Sequence, residues 1–362
     1  VLDKVQIVLY NVLKIRLKGD NPMERILSWN NKGGTGKTSL AFQIICEFAH
    51  ENPEKKVLAI DVCPQANLSE LLLGGLNQGG SDNLLKRQGT SPRATIGGYF
   101  QMRLPSPYTA PAFTAADYIT TPVEFNKYIP GNIDLLCGDP LLELQANAIS
   151  TLSNNQIPGT NTWIAIIDWL NDFLTPIEDE YDVVVFDANP SFSIYTQIAI
   201  AACQKIILPV MADDSSRRAI QNAFSLVYGL KLPSEIYTRY AFAEKMMDAG
   251  KSLPKVHMIL KNRLTQYMGP ASAYATVLSA IDRDVDALIK SHPEIFTFSR
   301  VEDGVANVRD FQTTGVVSAA RGCPFYELNS GRLDILGQRV QVKEDYRLNC
   351  IENIRQIVSK VF

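Results

Sequence analysis

The residues Lys32-Gly33-Gly34-Thr35-Gly36-Lys37-Thr38 hold the side-chain types needed to grip a phosphorylated ligand. Glycines let a chain curl until successive N–H groups point at one centre. A helix opening at that point adds the partial positive charge of its N-terminus. Lys37 is placed to reach β- and γ-phosphates, the Thr38 hydroxyl to ligate Mg²⁺, and Ser39 to begin the helix beside them. Measured against the GxxxxGK[ST] spacing, Asn31 stands where the first glycine belongs, and Lys32 follows it. A second lysine in such a tight loop is costly unless it meets negative charge.

Elements must hold this loop. Apolar Ile26–Trp29 reads as a strand running into it, and Ser39–Ala49 as an amphipathic helix leaving it. Downstream, Val57–Ile60, Ile133–Leu136, Val183–Phe186, Ile206–Val210, Val256–Leu260 and Ile295–Phe298 are nearly continuous apolar runs, as strands buried on both faces require. Helical stretches such as Asn161–Phe173 and Ala273–Ile289 separate them. This alternation predicts an α/β fold, a doubly wound and mostly parallel sheet with helices on both faces. Residues 1–22 read as an N-terminal extension closed by Gly19-Asp20-Asn21-Pro22, and residues 23–362 as a single domain. Residues 76–122, with paired glycines and several prolines, are long for a connection and read as an insertion with a little helix near Ile96–Met102.

Bulk properties exclude several classes. Hydrophobic residues at 46% and charged residues at 20% allow a full core. A net charge of -3 means that any nucleic-acid surface must be local. The cysteines lack CxxC spacing, so free thiols in a cytoplasmic protein are expected. His50, His257 and His292 are scattered, which argues against a histidine metal site. No apolar run reaches the roughly 18 residues of a membrane span.

The chain resembles ParA/MinD-type deviant Walker A ATPases, most closely the ParA-like partition ATPases, over most of residues 23–362. The phosphate loop carries the most specific part of the resemblance. VLAIDVCPQANLS resembles the family's DxDPQ motif through Asp61, Pro64 and Gln65, and YDVVVFDANPS resembles its Walker B strand, ending in Asp187. MILKNRL and VANVRDFQTTGVV resemble segments around the nucleotide base, with Asn262 near the adenine. The resemblance implies ATP and Mg²⁺ as cofactors. Gly33, Gly34, Thr35, Gly36, Lys37, Thr38, Ser39 and Asn262 would bind nucleotide; Thr38, Asp61 and Asp187 would serve the metal; Lys32, Lys37 and Asp61 would serve catalysis. It also implies that Lys32 crosses to a partner subunit's nucleotide, making a homodimer in the ATP state.

One departure bears on mechanism. Cys63 stands where the family has a second aspartate, which helps to orient the attacking water. An ordinary thiol titrates near 8.5 and is a poor proton acceptor. Slow or partner-stimulated hydrolysis is therefore expected, or an ATP-gated dimer that scarcely hydrolyses and works as a regulatory clamp. Asp61 could cover part of the missing role, but is expected to point elsewhere. Ala188-Asn189 replaces the usual pair before Pro190, and Asn189 is read as a turn residue or a contact to water or phosphate.

The resemblance further implies positioning or partitioning of DNA or another cargo, non-specific DNA as surface, a ParB-like or adaptor partner, and a cytoplasmic or nucleoid-associated location. Candidate basic surfaces are Lys251, Lys255, Lys261 and Arg263; Arg217 and Arg218; and Arg339, Lys343, Arg347, Arg355 and Lys360. The apolar stripe on the last helix, near Asp345–Phe362, reads as packing on the domain rather than a membrane anchor.

Overall fold

The computed structural model describes residues 22–211, 213–264 and 273–362. Of the expected extension over residues 1–22, all but Pro22 lies outside the described residues. The strands are β1 (Glu24–Ser28), β2 (Val57–Val62), β3 (Ile119–Thr120), β4 (Ile133–Leu136), β5 (Val183–Ala188), β6 (Lys205–Met211), β7 (Lys255–Leu264) and β8 (Val305–Arg309). They form one sheet in the order β3-β4-β2-β5-β1-β6-β7-β8. Every pairing is parallel except β3 with β4. The doubly wound, mostly parallel sheet expected from the alternation is therefore the fold.

Each central strand feeds two cores, because successive side chains point to opposite faces. Leu58, Ile60, Val184, Phe186 and Leu208 pack on one side with helices Ile194–Ala202 and Asp214–Tyr228. Ala59, Val183, Val185, Ile207 and Leu260 pack on the other with Lys37–Glu51 and Glu344–Val361. The last helix lies on the domain as its stripe suggested. The Phe48 and Phe362 rings stack with centroids 3.9 Å apart, and Arg355 pairs with buried Glu47 at 2.8 Å.

Several elements differ from the sequence reading. Ile295–Phe298 is not a strand. Pro293–Ile295 forms a 3₁₀ turn, and Phe296 meets the sheet through one isolated bridge to Val256. The sheet's final strand is β8, whose sequence VANVR is too polar to look like a buried strand because it lies at the edge. Its backbone is met by Asn353 of the last helix, which accepts from the Arg309 N–H at 2.9 Å and donates to the Asn307 carbonyl at 3.1 Å. The opposite edge, β3, has only two residues. The long helix expected over Asn161–Phe173 is two, Thr162–Ile167 and Trp169–Leu174, broken at Asp168, whose carboxylate binds Lys251 and Asn171. A β9–β10 hairpin (Gly331–Ile335, Gln338–Val342) turns at Leu336-Gly337, both in left-handed backbone, a signal the sequence reading missed.

The segment 76–122 is more than a loop with a little helix. It holds Gly80–Gln88 and Ile96–Arg103, and the second is part of the core. Ile96, Tyr99 and Phe100 are wholly buried. Buried Arg103 pairs with Asp172 at 2.6 Å, bonds the Tyr99 hydroxyl, and lies 5.3 Å from the Trp169 ring centre.

Candidate functional site

The phosphate loop leaves the C-terminal end of β1, between β5 and β6, and opens helix Lys37–Glu51. Gly36 sits in left-handed backbone (φ 84°) and no side chain caps the helix, so its first N–H groups keep no side-chain partner. A Cβ on Gly36 would lie 2.2 Å from the Asn262 amide nitrogen. That nitrogen donates to the Thr35 carbonyl at 2.8 Å, so β7 braces the loop. Asn30 braces its start, accepting from the Lys32 N–H and donating to the Pro209 carbonyl. Lys37 Nζ donates to the Lys32 carbonyl at 2.9 Å, and burial lowers its pKa while the Asp187 charge opposes the shift. The buried Asn31 Oδ1 and Thr35 Oγ1 have no hydrogen-bond partner. Such orphaned polar atoms in a loop of convergent donors indicate a polar ligand.

Two carboxylates stand beside the loop. Asp61 and Asp187 are register partners on β2 and β5, and both are buried. Burial pushes both pKa values up, and the neighbouring Asp61 charge raises Asp187 further. The Asp61 carboxylate accepts from the Cys63 N–H (3.1 Å), the Ser69 N–H (2.9 Å) and the Ser69 hydroxyl (2.8 Å). Thr38 stands close enough to Asp187 to lower its pKa against burial and the Asp61 charge, and the Asp187 Oδ1 is buried without a partner. A threonine hydroxyl beside an orphaned carboxylate oxygen at a phosphate loop is a donor set that fits Mg²⁺.

Cys63 is buried next to this pair, its thiol pushed up to about 12 by burial and then by Asp61. The Asp61 carboxylate is turned to Ser69 and to the Cys63 backbone N–H, and the charges of Asp61 and Asp187 both raise the Cys63 thiol.

Lys32 does not stand free. Its Nζ lies 2.7 and 2.5 Å from the Asp213 carboxylate oxygens and 3.2 Å from the Ser216 hydroxyl. Asp213 caps helix Asp214–Tyr228 by accepting from the Ser216 N–H. Burial raises the Asp213 pKa, but hydrogen bonds from Lys32, Ser215 and Ser216 outweigh it and hold the group at about 2. The sequence reading gave Asp213 no role, although Asp-x-x-Ser before an amphipathic helix is a capping signal.

A cavity of about 380 Å³ adjoins the loop, lined among others by Gly36, Ser39, Asn262, Arg263, Phe311 and Gln312. Arg263 (φ 60°) and Gln312 (φ 43°) are held in left-handed backbone there, a cost characteristic of binding sites. The structure thus brings together the sequence-predicted Lys32, the loop Gly33–Ser39 and Asn262 at one place, with Asp61 and Asp187 beside them.

The basic candidates fare unevenly. Lys251 pairs with Asp168, and buried Lys261 with Asp282. Arg217, Arg347 and Arg355 also face carboxylates. Lys255, Arg263, Arg339 and Lys343 remain exposed. Among the described residues, no helix is long and apolar enough to cross a membrane.

Residues 23–232 match the family AAA_31, described as an AAA domain. The chromosome partitioning protein ParA of Myxococcus xanthus (strain DK1622) is 26% identical over 184 residues, 51% of this chain and 50% of that protein. The chain thus spans about half the length of that curated relative. An aspartate-to-alanine variant of Cyanothece McdA, solved in complex with ATP, superposes with a TM-score of 0.59 at 14% identity, over 93% of this chain and 96% of that one. A plasmid partition protein of Borrelia burgdorferi B31, bound to AMPPNP, gives 0.53 at 15% identity over 94% and 100%. At these identities the structural likeness is one of fold.

Proposed function

The chain belongs to the AAA_31 domain family and is ParA-like, and from that premise we propose that it is an ATP-binding, ATP-dependent dimer that positions or partitions DNA or another cargo. The observation that carries the reading is the phosphate loop itself: two lysines, an uncapped helix start and orphaned polar atoms at the C-terminal end of a parallel sheet.

The loop N–H groups and Lys37 would hold the β- and γ-phosphates. The cavity beside Asn262 and Phe311 would take the base. Thr38 and Asp187 would hold Mg²⁺, with Asp61 fixing the neighbouring loop through Ser69; the ion would supply positive charge to the phosphates. Lys32 would leave Asp213 for the γ-phosphate of a partner subunit's nucleotide. The exchange conserves a charge partner for a half-buried ammonium, which is why it is feasible on ATP binding. The ATP dimer would then bind a surface, non-specific DNA, and a ParB-like or adaptor protein would stimulate hydrolysis and release. Exposed Lys255, Arg263, Arg339 and Lys343 are cations, among the described residues, that would be available to meet phosphate.

The buried, protonated Cys63 favours a second reading, an ATP-gated dimer with negligible turnover acting as a regulatory clamp. Turnover with Mg²⁺, with and without DNA, read beside light scattering, separates the two. An ATP dimer with measurable turnover supports the first; a persistent ATP dimer without turnover supports the second; no nucleotide-dependent change in mass sinks both.

A further inference from the structure

The register of β2 and β5 pairs Asp61 with Asp187 and Val62 with Ala188. Cys63 and Asn189 are the residues that directly follow these two paired strand ends, so both stand at the rim of the sheet where the phosphate loop lies. Asn189 is fixed there from two sides. Trp29 Nε1 donates to the Asn189 and Ser191 carbonyls at 3.1 and 3.3 Å. The Asn189 side-chain amide donates to the Tyr195 hydroxyl at 2.9 Å, and that hydroxyl in turn reaches Glu143 at 3.4 Å. The next residue, Pro190, has its Cγ 4.0 Å from where a Cβ on Gly33 would lie, so this turn abuts the phosphate loop. With Nδ2 used on Tyr195, the amide's orientation is set. Its Oδ1 accepts from no donor among the described residues, and the residue is only partly buried.

Resting on the nucleotide-hydrolysing reading above, we infer that Asn189 is a water-positioning residue that stands in for the carboxylate missing at position 63, with Tyr195 as its anchor. Phosphoryl transfer asks for orientation of the water more than for a strong base, and an amide oxygen accepts a hydrogen bond from water without taking its proton. The water oxygen forms a bond to the γ-phosphorus as the bond to the β–γ bridging oxygen breaks, its electron pair leaving with ADP. The water's proton passes to the phosphate oxygens and leaves with inorganic phosphate. Two features thus have one explanation: a pocket without its usual acid still holds an oriented acceptor on the neighbouring strand.

The test is a double-mutant cycle with Asn189→Ala and Cys63→Asp, with Tyr195→Phe as the anchor variant. Asn189→Ala is expected to lower kcat about tenfold or more with KM within twofold. It should weaken binding of ADP–aluminium fluoride, a mimic of the transferring phosphoryl group, while leaving ADP affinity unchanged. Tyr195→Phe is expected to give a smaller loss of the same kind. In the Cys63→Asp background the Asn189→Ala loss should shrink below about threefold, because a carboxylate again orients the water. Unchanged kcat in Asn189→Ala, an equal loss in both backgrounds, or an equal loss of ADP affinity overturns the inference. A wild-type protein that binds ATP without turnover, yet turns over as Cys63→Asp, also overturns it and leaves the nucleotide-binding reading standing. A wild-type protein that binds no nucleotide overturns that reading itself.

Discussion

Lys32 and Asp213 form an ion pair within one chain, at 2.5 and 2.7 Å, and the carboxylate that holds the lysine also caps a helix. A residue proposed to act in trans is thereby held in cis until something stronger competes. Asp213→Asn keeps an effective cap and removes the charge. The pair is partly exposed, so its worth is about 0–1 kcal/mol, and the ATP concentration for half-maximal dimerisation should fall up to about fivefold. Lys32→Ala should retain ATP binding and lose the dimer. Light scattering across an ATP titration reads both. Since the Asp213 pKa is lowered, its contribution persists at neutral pH and is lost only as pH falls below the ordinary carboxylate range toward about 2.

Cys63→Asp should raise turnover about tenfold or more, measured as phosphate release at saturating ATP. It should also lower the melting temperature of the nucleotide-free protein. The new carboxylate joins Asp61 and Asp187, which already oppose each other's ionisation.

Asp187→Asn should stabilise the nucleotide-free protein, by on the order of 2 kcal/mol at pH 8, while abolishing Mg²⁺-dependent nucleotide binding. The sign follows from the raised pKa values. A carboxylate titrating higher in the folded than the unfolded state favours folding below its unfolded value, and that contribution is lost as pH rises through the folded one. The wild-type melting temperature should therefore include a component that falls between pH 5 and pH 8, and this component should shrink in Asp187→Asn. A variant less stable than wild type at pH 8 would contradict the placement of these charges.

Gly36→Ala should weaken ATP binding at least tenfold by calorimetry. The added methyl meets the Asn262 amide at 2.2 Å, and the left-handed backbone there is strained for any L side chain.

Arg103→Ala should destabilise by about 3–5 kcal/mol in denaturant unfolding, because it leaves a partner charge and a cavity behind. Arg103→Met should cost distinctly less, since it refills the space beside Trp169. Equal, small effects would mean that the segment 76–122 is peripheral to the core, against its packing here.

The phosphate loop, β1, β2 and β5 were legible because local chemistry and tertiary role coincide. Glycine spacing specifies the loop, and strands buried on both faces must be continuously apolar. What escaped the sequence did so for physical reasons. The edge strand β8 has a face partly open to solvent and carries Asn307 and Arg309. Pro293 shaped an apolar run into a 3₁₀ turn. Ile96–Arg103 lies amid turn-forming residues, and its helix emerges only because Tyr99 and Phe100 find the core. In the site, Asp213 was invisible as Lys32's partner because they lie 181 residues apart, and Asn189 gains meaning only from the β2–β5 register.

The two margins of the sheet carry a consequence for self-association. A bare edge strand is a template on which other chains can add, the usual route to fibrous aggregates. Here one margin is a two-residue stub, and the other has an N–H and a carbonyl already taken by Asn353. Runaway growth by strand addition is thus discouraged at both ends. Asn353→Ala would reopen one margin and should show first as turbidity on heating, with nucleotide affinity intact.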